Sequence, residues 1–415
     1  MNPFVQGIAG ATGSRCLLAV GAVAALLVAA CGSSGSTTPT NTAATGKPIL
    51  VGVLDDTSGA AAPYSSLTDR GVKTAVDDIN SKGGINGRPL QLQFESDGNV
   101  PANSPALVQK EIQAGAKFII MTSGSASSLA IKKTLLAAQV PGFAATNQNT
   151  GIGAPPDNDF TFMQSNTSTD IANIYAAGWV KAGYKTLGVM SDDSPTTSAG
   201  NNIMFPIWKT AGLNIVATEK APNDATDVTA QISRIKSKGP DAVIMTSLGG
   251  QLEVLVQNTL ATQMKGVPRF SLASIGNQPS NWALAQPNGL DGLVYAAQVD
   301  PTNPRAKALS DLMAKKYGKD FTFLTAYEAQ AWDAVQMMKL AMEKGGNPDD
   351  GAKNKAGLEQ VTKYQTATGG STFTVSFGPS KHSGQDGLCG IALVAFKGNK
   401  PGAPWSVYQP KCTAA

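Results

Sequence analysis

The sequence predicts an α/β protein with two doubly wound lobes, each built on a parallel sheet with helices on both faces. Short apolar runs rich in β-branched residues, typical of buried strands, recur along the chain. Stretches with apolar residues at helical spacing lie between these runs. The same rhythm restarts after Thr169, which indicates a second lobe of the same kind.

In the first lobe, short apolar runs predict strands at 49–54, 90–94 and 118–121. A helix between the first two is supported by residues at helical spacing: Leu67, Gly71, Val72, Ala75, Val76 and Ile79. The Gly-rich segment 80–84 ends it. Two further helices are expected at 106–115 and 127–139.

The second lobe repeats the pattern, with strands expected at 187–190, 213–217 and 242–245. The helices between them are predicted near 171–182, 204–211, 228–238 and 251–264. Ligands of open parallel sheets bind outside the carboxyl ends of the strands. Two such lobes facing each other would therefore form a binding cleft.

The N-terminus has the pattern of an export signal, because Arg15 precedes an uncharged apolar run, 16–30, that ends at Cys31. The small residues before this cysteine resemble the lipobox of bacterial lipoproteins. The resemblance implies a signal peptide over 1–30 and a lipid anchor on Cys31. An uncleaved transmembrane anchor is the alternative, but the run is shorter than the roughly 20 residues that a spanning helix needs.

The segment 31–47 is composed mostly of Gly, Ser, Thr, Asn and Ala. It cannot bury enough apolar surface to offset its chain entropy, so we expect a flexible tether. The rest of the chain is long enough for more than one domain, and 42% hydrophobic and 15% charged residues indicate a globular protein. A net charge of +4 predicts no nucleic-acid partner, and a monomer is expected.

Four cysteines are present, and two of them, Cys16 and Cys31, belong to the signal and its cleavage site. Cys389 and Cys412 remain in the mature chain. Outside the cell, an oxidising environment favours a disulfide between these two. Two free buried thiols are the alternative.

Several motifs near the predicted first strand resemble the opening of the Leu/Ile/Val-binding protein family: Val51-Gly-Val-Leu54, Thr57-Ser-Gly59, Gly71, Ala75-Val-Asp-Asp-Ile-Asn80 and Gly83-Gly-Ile-Asn-Gly87. The resemblance extends from about Lys47 to the C-terminal region. It implies a type I periplasmic-binding fold, in which three crossing strands join the lobes. The implied first lobe is 48–165 plus about 300–378, and the second is 166–299 plus about 379–415.

The same resemblance implies ligand contacts in the first lobe. Ser125 corresponds to a serine that binds the ligand carboxylate, although an N-cap role is the alternative. Thr146 corresponds to a threonine that also binds the carboxylate, and the preceding Ala145 would offer its carbonyl; a polar turn is the alternative. Tyr64 corresponds to an aromatic residue that covers the ligand, unless it packs only on its own lobe.

In the second lobe, the resemblance implies contacts at Leu248 and Ser274. At Ser274, the family members that bind α-amino acids usually carry a carboxylate, so an ammonium group loses its expected counter-charge. Other acids that end predicted strands are Asp55, Asp56, Asp192 and Asp193. These aspartates are more commonly turn residues that bond their own backbone. The ligand is therefore expected to be a branched-chain amino acid or a related amide or carboxylate.

The resemblance implies a receptor that delivers a small solute to the permease subunits of an ATP-driven (ABC) importer, with no catalysis, cofactor or metal. A sensory receptor with the same fold is one alternative. A hydrolase that uses the aspartate pairs is a remote one, since the chain has no Gly-x-Ser-x-Gly, phosphate-loop or His-Glu-x-x-His motif. The single histidine, His382, is expected in a surface loop.

Overall fold

A computed structural model describes residues 44–59 and 61–411. Within these residues, none of the helices combines the length and the apolar character needed to cross a bilayer. The predicted signal peptide, most of the tether, Cys31 and Cys412 lie outside the described residues. The predictions made for them therefore stay predictions.

The strands follow one another in the order β1 (Ile49–Asp55), β2 (Leu90–Ser96), β3 (Ile119–Met121), β4 (Gly142–Ala144), β5 (Thr161–Met163), β6 (Thr186–Asp192), β7 (Asn214–Ala221), β8 (Ala242–Thr246), β9 (Arg269–Ser271), β10 (Val294–Ala297), β11 (Tyr364–Gln365), β12 (Thr374–Val375), β13 (Ala392–Lys397) and β14 (Lys400–Pro404).

The helices are α1 (Ala62–Ser81), α2 (Ser104–Gln113), α3 (Ser125–Ala130), α4 (Lys132–Ala138), α5 (Ser168–Lys181), α6 (Pro195–Thr210), α7 (Thr229–Lys236), α8 (Gln251–Gln263), α9 (Pro279–Trp282), α10 (Pro304–Tyr317), α11 (Ala326–Gly345) and α12 (Gly351–Leu358).

Two separate sheets form the framework. The first has the order β2-β1-β3-β4-β5, and every neighbouring pair in it is parallel. The second has the order β14-β13-β10-β9-β8-β6-β7, with a parallel part and antiparallel β13 and β14 at one edge. We call each sheet with its helices a lobe. The predicted fold class is confirmed, whereas the predicted residue boundaries of the lobes stay a prediction.

Each parallel sheet is covered by helices on both faces, which the alternation of side chains along a strand makes possible. In β1, Val51 and Val53 pack with helices α1 and α11, whereas Leu54 packs with α2 and α4 on the opposite face. In the second lobe, Val189 contacts the α5–α6 side and Met190 the α7–α8 side. The strands are therefore apolar on both faces, as expected for buried parallel sheets.

One predicted helix is wrong in its extent. The spacing of apolar residues predicted a single helix over 127–139. The chain instead forms the six-residue α3 and the seven-residue α4, with a break at Ile131. Next to the break, Lys132 Nζ donates to the carbonyls of Gly151 and Ala154, both at 2.6 Å. Periodicity could not indicate this break, because the partners lie in a later loop.

The prediction for His382 is also wrong. Its side chain is only 1% exposed and stacks on Phe162 with ring centroids 4.1 Å apart. Its Nδ1 lies 2.7 Å from the carbonyl oxygen of Asn158 and donates to it. The histidine is a core residue of the first lobe.

Candidate ligand-binding site

A cavity lies where the carboxyl ends of the two parallel sheets face each other. It contains about 700 Å³ of empty space, part of it open to solvent. This volume suits a small solute. The lining residues are Tyr64, Ser125, Thr146, Asn147, Gln148, Asn149, Ser168, Thr196, Thr197, Gly200, Asn201, Met204, Thr246, Ser247, Leu248, Leu272, Ala273, Ser274 and Tyr327.

On the first-lobe side, Ser125 and Thr146 both line the cavity and are buried. Ser125 is the first residue of α3, and its Oγ accepts a hydrogen bond from the backbone N–H of Gln148 at 3.3 Å. Because the oxygen is the acceptor there, the hydroxyl proton of Ser125 is free to be donated to a ligand. Thr146 follows β4 and directs a second hydroxyl to the same wall.

Ala145 lies beside this wall but does not line the cavity. It is fully buried, and its carbonyl oxygen accepts a hydrogen bond from Ser165 Oγ at 3.0 Å. Of the predicted site residues, it is the one that the fold does not bring to the cavity surface.

An aromatic pair and a leucine close one side of the cavity. The rings of Tyr64 and Tyr327 lie 4.8 Å apart in the first lobe, and Leu248 of the second lobe packs against them. The loop that carries Leu248 is fixed by its backbone N–H, which donates to Asp192 Oδ2 at 2.8 Å. The packing of Leu248 against the two tyrosines joins the two lobes over the cavity.

A second contact between the lobes involves Thr196 at the start of α6. Its Oγ1 accepts from the backbone N–H of Ala126 at 3.4 Å and lies 3.5 Å from Asn99 Oδ1. A Cβ atom on the neighbouring Gly124 would lie only 2.4 Å from Thr196 Oγ1. The lobes therefore approach closely at this point, and the absence of a side chain on Gly124 permits it.

The aspartates considered as ligand partners have other functions. Asp56 accepts backbone hydrogen bonds from Gly59 at 2.6 Å and Ala61 at 2.7 Å, and thereby holds the loop before α1. Asp192 holds the loops after β6 and β8 in the same way, whereas Asp193 is exposed. Burial and the nearby Asp69 raise the pKa of Asp55 to about 6. None of the four lines the cavity.

Among the described residues, no charged side chain lines the cavity. A carboxylate does lie directly behind its second-lobe wall. Ser274 Oγ donates to Glu253 Oε2 at 2.7 Å, and Ser271 Oγ donates to Oε1. Ser247 also interacts with this carboxyl group. Glu253 is 0% exposed, and burial raises its pKa to about 7 even though the three serines oppose the shift.

Three buried polar atoms of the lining have no hydrogen-bond partner among the described residues: Asn147 Oδ1, Asn201 Oδ1 and Thr246 Oγ1. Asn147 Nδ2 donates to the carbonyl of Ser123 at 2.6 Å, which fixes the orientation of the amide. An unpartnered buried oxygen is costly, so these atoms identify where a ligand with N–H or O–H groups would bind.

Sequence reasoning did not find Glu253, Asn147 or Asn201 as site residues. Glu253 was detectable, because it lies between Leu252 and Val254 in an apolar stretch where a solvated acid is unusual. Nothing local marked Asn201. It reaches the cavity because the N-terminal part of α6 lines it.

Residues 48–387 match the model of the periplasmic binding protein family. The chain belongs to this family. A Leu/Ile/Val-binding protein of Rhizobium johnstonii is 25% identical over 338 residues, which cover 78% of this chain and 87% of the relative. A leucine-, isoleucine-, valine-, threonine- and alanine-binding protein of Pseudomonas aeruginosa is 24% identical over 350 residues, or 78% and 85% of the two chains.

Solved structures of periplasmic binding proteins share the fold. The branched-chain amino acid transporter substrate-binding protein LivJ of Streptococcus pneumoniae, in complex with isoleucine, has a TM-score of 0.74 at 19% identity and covers 88% of this chain and 100% of its own. A solute-binding protein of R. palustris in complex with 4-hydroxybenzoate has a TM-score of 0.72 at 19% identity, covering 86% and 97%. The predicted family and fold are confirmed.

Membership of the periplasmic binding protein family implies an extracytoplasmic location and a small-molecule ligand. It also confirms that the chain is a binding protein rather than an enzyme. Cys389 is half-buried, but its predicted partner Cys412 lies outside the described residues. The disulfide therefore stays a prediction.

Proposed function

We propose that this periplasmic binding protein is the receptor of an ABC importer and captures a small carboxylate-bearing or amide nutrient, such as a branched-chain amino acid. The observation that carries the proposal is an uncharged and hydroxyl-rich cavity between the lobes whose buried Asn147, Asn201 and Thr246 oxygens have no partner among the described residues.

A carboxylate or amide carbonyl of the ligand would accept hydrogen bonds from Ser125 and Thr146 on the first-lobe wall. Hydrogen bonds to a charged group contribute about 1.5–3 kcal/mol each, so two hydroxyls can hold a carboxylate without an ion pair. Both curated relatives named above bind amino acids, according to their names, and amino acids carry this group. Those names support the proposed ligand class.

The opposite end of the ligand would donate to the unpartnered second-lobe oxygens, Asn201 Oδ1 and Thr246 Oγ1. Leaving a buried acceptor without a donor costs about 1–3 kcal/mol, and a ligand N–H group would remove that cost. Leu248 and the Tyr64–Tyr327 pair would cover the apolar part of the ligand. Tyr64, Ser125, Thr146, Leu248 and Ser274 thus have distinct proposed roles in a single cavity.

Capture would operate by closure of the two lobes. The contacts of Leu248 with the tyrosines and of Thr196 with Ala126 join the lobes and would be lost in an open form. A ligand that touches both lobes binds the closed form more tightly and so shifts the population toward it. The permease would then distinguish loaded from empty receptor by the closed shape, and a lipid on Cys31 would keep the receptor at the membrane.

A thermal-shift screen of residues 47–415 tests the proposal with amino acids, short amides, aromatic carboxylates and sugars. A specific ligand at a hundredfold excess over its Kd stabilises by about 2.7 kcal/mol, which gives a clear rise in Tm. We expect a carboxylate or amide to produce this rise, and Ser125→Ala to reduce it. A response to sugars alone would contradict the proposed ligand class.

A further inference from the structure

We propose that Glu253 is a positioning residue that makes the second-lobe wall a set of hydrogen-bond acceptors, so that the cavity selects ligands with an N–H group, either a primary amine or an amide. The inference rests on the proposed function and specifies its ligand class further. It is carried by the contacts of Glu253 with the serines of that wall.

The carboxylate lies in the first turn of α8, one residue layer behind the cavity. Ser274 Oγ donates to Oε2 at 2.7 Å, and Ser271 Oγ donates to Oε1. Ser247, which lines the cavity together with Ser274, also interacts with Glu253 and lowers its pKa. The cavity serine Ser274 and the adjacent Ser271 are therefore both bonded to one buried acid.

This arrangement decides which way the hydroxyl groups point. A serine hydroxyl has one proton and two lone pairs, and an ionised carboxylate can only accept. When Glu253 is ionised, Ser274 must therefore direct its proton at the carboxylate, which leaves only lone pairs of Ser274 Oγ for the cavity. A wall of this kind binds ligand N–H groups and has no proton to offer a ligand carboxylate.

Another atom of the cavity has the same polarity. Asn201 Oδ1 of α6, on the second-lobe side, is a buried acceptor without a partner among the described residues. The first-lobe hydroxyl of Ser125 has the opposite polarity, since its oxygen already accepts from Gln148 N–H. The cavity therefore has a donor side for a carboxylate or carbonyl and an acceptor side for an amine or amide.

The electrostatic surroundings of Glu253 also favour a cationic or donor ligand. The titratable groups that interact with it are Asp192 at the end of β6, Tyr175 of α5 and Tyr327 of α11. None of these is a cation, and in the part of the chain that the structure describes Glu253 has no salt bridge. A ligand ammonium would supply the missing positive charge through the serine layer.

The test compares Glu253→Gln with wild type, using pairs of probes in which the N–H group is absent or replaced by a methyl group: L-leucine and 4-methylpentanoate, L-phenylalanine and 3-phenylpropanoate, benzamide and acetophenone. Isothermal titration gives the ratio of Kd values within each pair. Glu111→Gln is the matched control, because Glu111 is equally buried but lies in α2 and does not line the cavity.

We expect wild type and Glu111→Gln to bind the N–H-bearing member of at least one pair about tenfold or more tightly than the other member. Glu253→Gln should abolish that preference while the Kd of the N–H-free member changes little. A purely structural role would instead weaken both members alike. If Glu253→Gln does not fold, Ser274→Ala, which removes one cavity acceptor and keeps the acid, should reduce the preference in the same direction.

Two results would overturn the inference: an unchanged preference in both Glu253→Gln and Ser274→Ala, or tighter binding of the N–H-free members by wild type. In either case the protein would still bind a carboxylate or carbonyl ligand, so the proposed function would stand. Binding of none of the probes by wild type would overturn the proposed function as well.

Discussion

Ser274 Oγ donates a hydrogen bond to Oε2 of the buried Glu253 at 2.7 Å. The second-lobe wall of the cavity therefore presents a serine hydroxyl, and the carboxylate of Glu253 lies directly behind it. The resemblance on which the sequence reasoning drew implies an acid at position 274, and its absence suggested a missing counter-charge. The tertiary structure brings an acid from α8 to the same wall. The ligand would therefore meet a hydroxyl that is polarised by a carboxylate.

Ligand affinity should depend on pH through Glu253. Its folded-state pKa is about 7, mainly because of burial. Below this pH the carboxyl group is protonated and donates to one of the serines. The hydroxyl proton of that serine can then point into the cavity, where it repels the N–H group of the ligand. The affinity for an amine or amide ligand should therefore rise as pH increases through 7, by up to about tenfold per unit below it. Titrations from pH 5.5 to 8 test this, and Glu253→Gln should give a flat profile.

Ser125→Ala should weaken binding of a carboxylate ligand by about tenfold to a hundredfold, because one hydrogen bond to a charged group is lost. Ser128→Ala is a suitable control, since Ser128 is buried in the same short helix and does not line the cavity. Calorimetric Kd values for both variants decide the matter. Equal losses in the two variants would show that the effect comes from α3 rather than from the hydroxyl of Ser125.

Gly124→Ala should impair closure. The added Cβ would lie 2.4 Å from Thr196 Oγ1 across the cleft. The backbone of Gly124 has φ −63°, which any residue adopts. Within its own lobe the added Cβ would lie 2.9 Å from the amide atoms of Asn99, the end of a side chain that can shift, so the lobes themselves should still fold. We expect weaker ligand binding and a larger radius of gyration at saturating ligand, measured by small-angle X-ray scattering.

The second change Thr196→Ala removes the clashing oxygen and should restore part of the affinity lost in Gly124→Ala. The four Kd values form a double-mutant cycle. Additive losses would contradict a direct contact between these two residues during closure.

Glu111→Gln should stabilise the protein near neutral pH. Burial raises the pKa of Glu111 from 4.5 to about 8, and its Oε2 has no partner among the described residues. Between these two values the unfolded chain releases the proton and the folded protein retains it. The stability contribution is thus complete below pH 4.5 and is lost as pH rises through about 8.

The change to Gln keeps the acceptor for Val53 N–H at 2.8 Å and removes the ionisation. We expect the free energy of unfolding at pH 7 to rise by roughly 2–3 kcal/mol relative to wild type, with little difference at pH 4. Denaturant titrations at both pH values give the comparison. If the free energy of unfolding changed equally between pH 4 and pH 7 in wild type and Glu111→Gln, this interpretation would be contradicted.

The mature protein should contain no free thiol. If Cys389 pairs with Cys412 and Cys31 carries a lipid, then thiol labelling under denaturing conditions should leave the protein from the cell envelope unmodified. A bridge that closes a loop of about 20 residues would stabilise by roughly 2–4 kcal/mol, so Cys389→Ser should lower Tm. Labelling of one or both cysteines in the native protein would contradict the pairing.

Much of the fold was predictable because local patterns express it. Val51, Val53 and their neighbours mark a buried parallel strand, and the apolar positions of α1 mark the helix that covers it. The split between α3 and α4 was not predictable, since the partners of Lys132 lie in the loop 151–154. The burial of His382 was hidden for the same reason, because Phe162 and Asn158 are distant in sequence.

The candidate site also contains residues that were predictable from the sequence and residues that were not. Tyr64, Ser125, Thr146, Leu248 and Ser274 were indicated by their place after predicted strands and by the family resemblance, and all five line one cavity.

The sequence by itself determined the α/β class, the family and the positions of the loops at the carboxyl ends of the strands, because periodicity and turn residues act over short distances. Only the tertiary structure decided which atoms meet across the cleft. Asn201 reaches the cavity from α6, and Glu253 reaches the serines from α8. Such contacts depend on helix direction and on how the two sheets approach each other, and neither is recorded in the local order of residues.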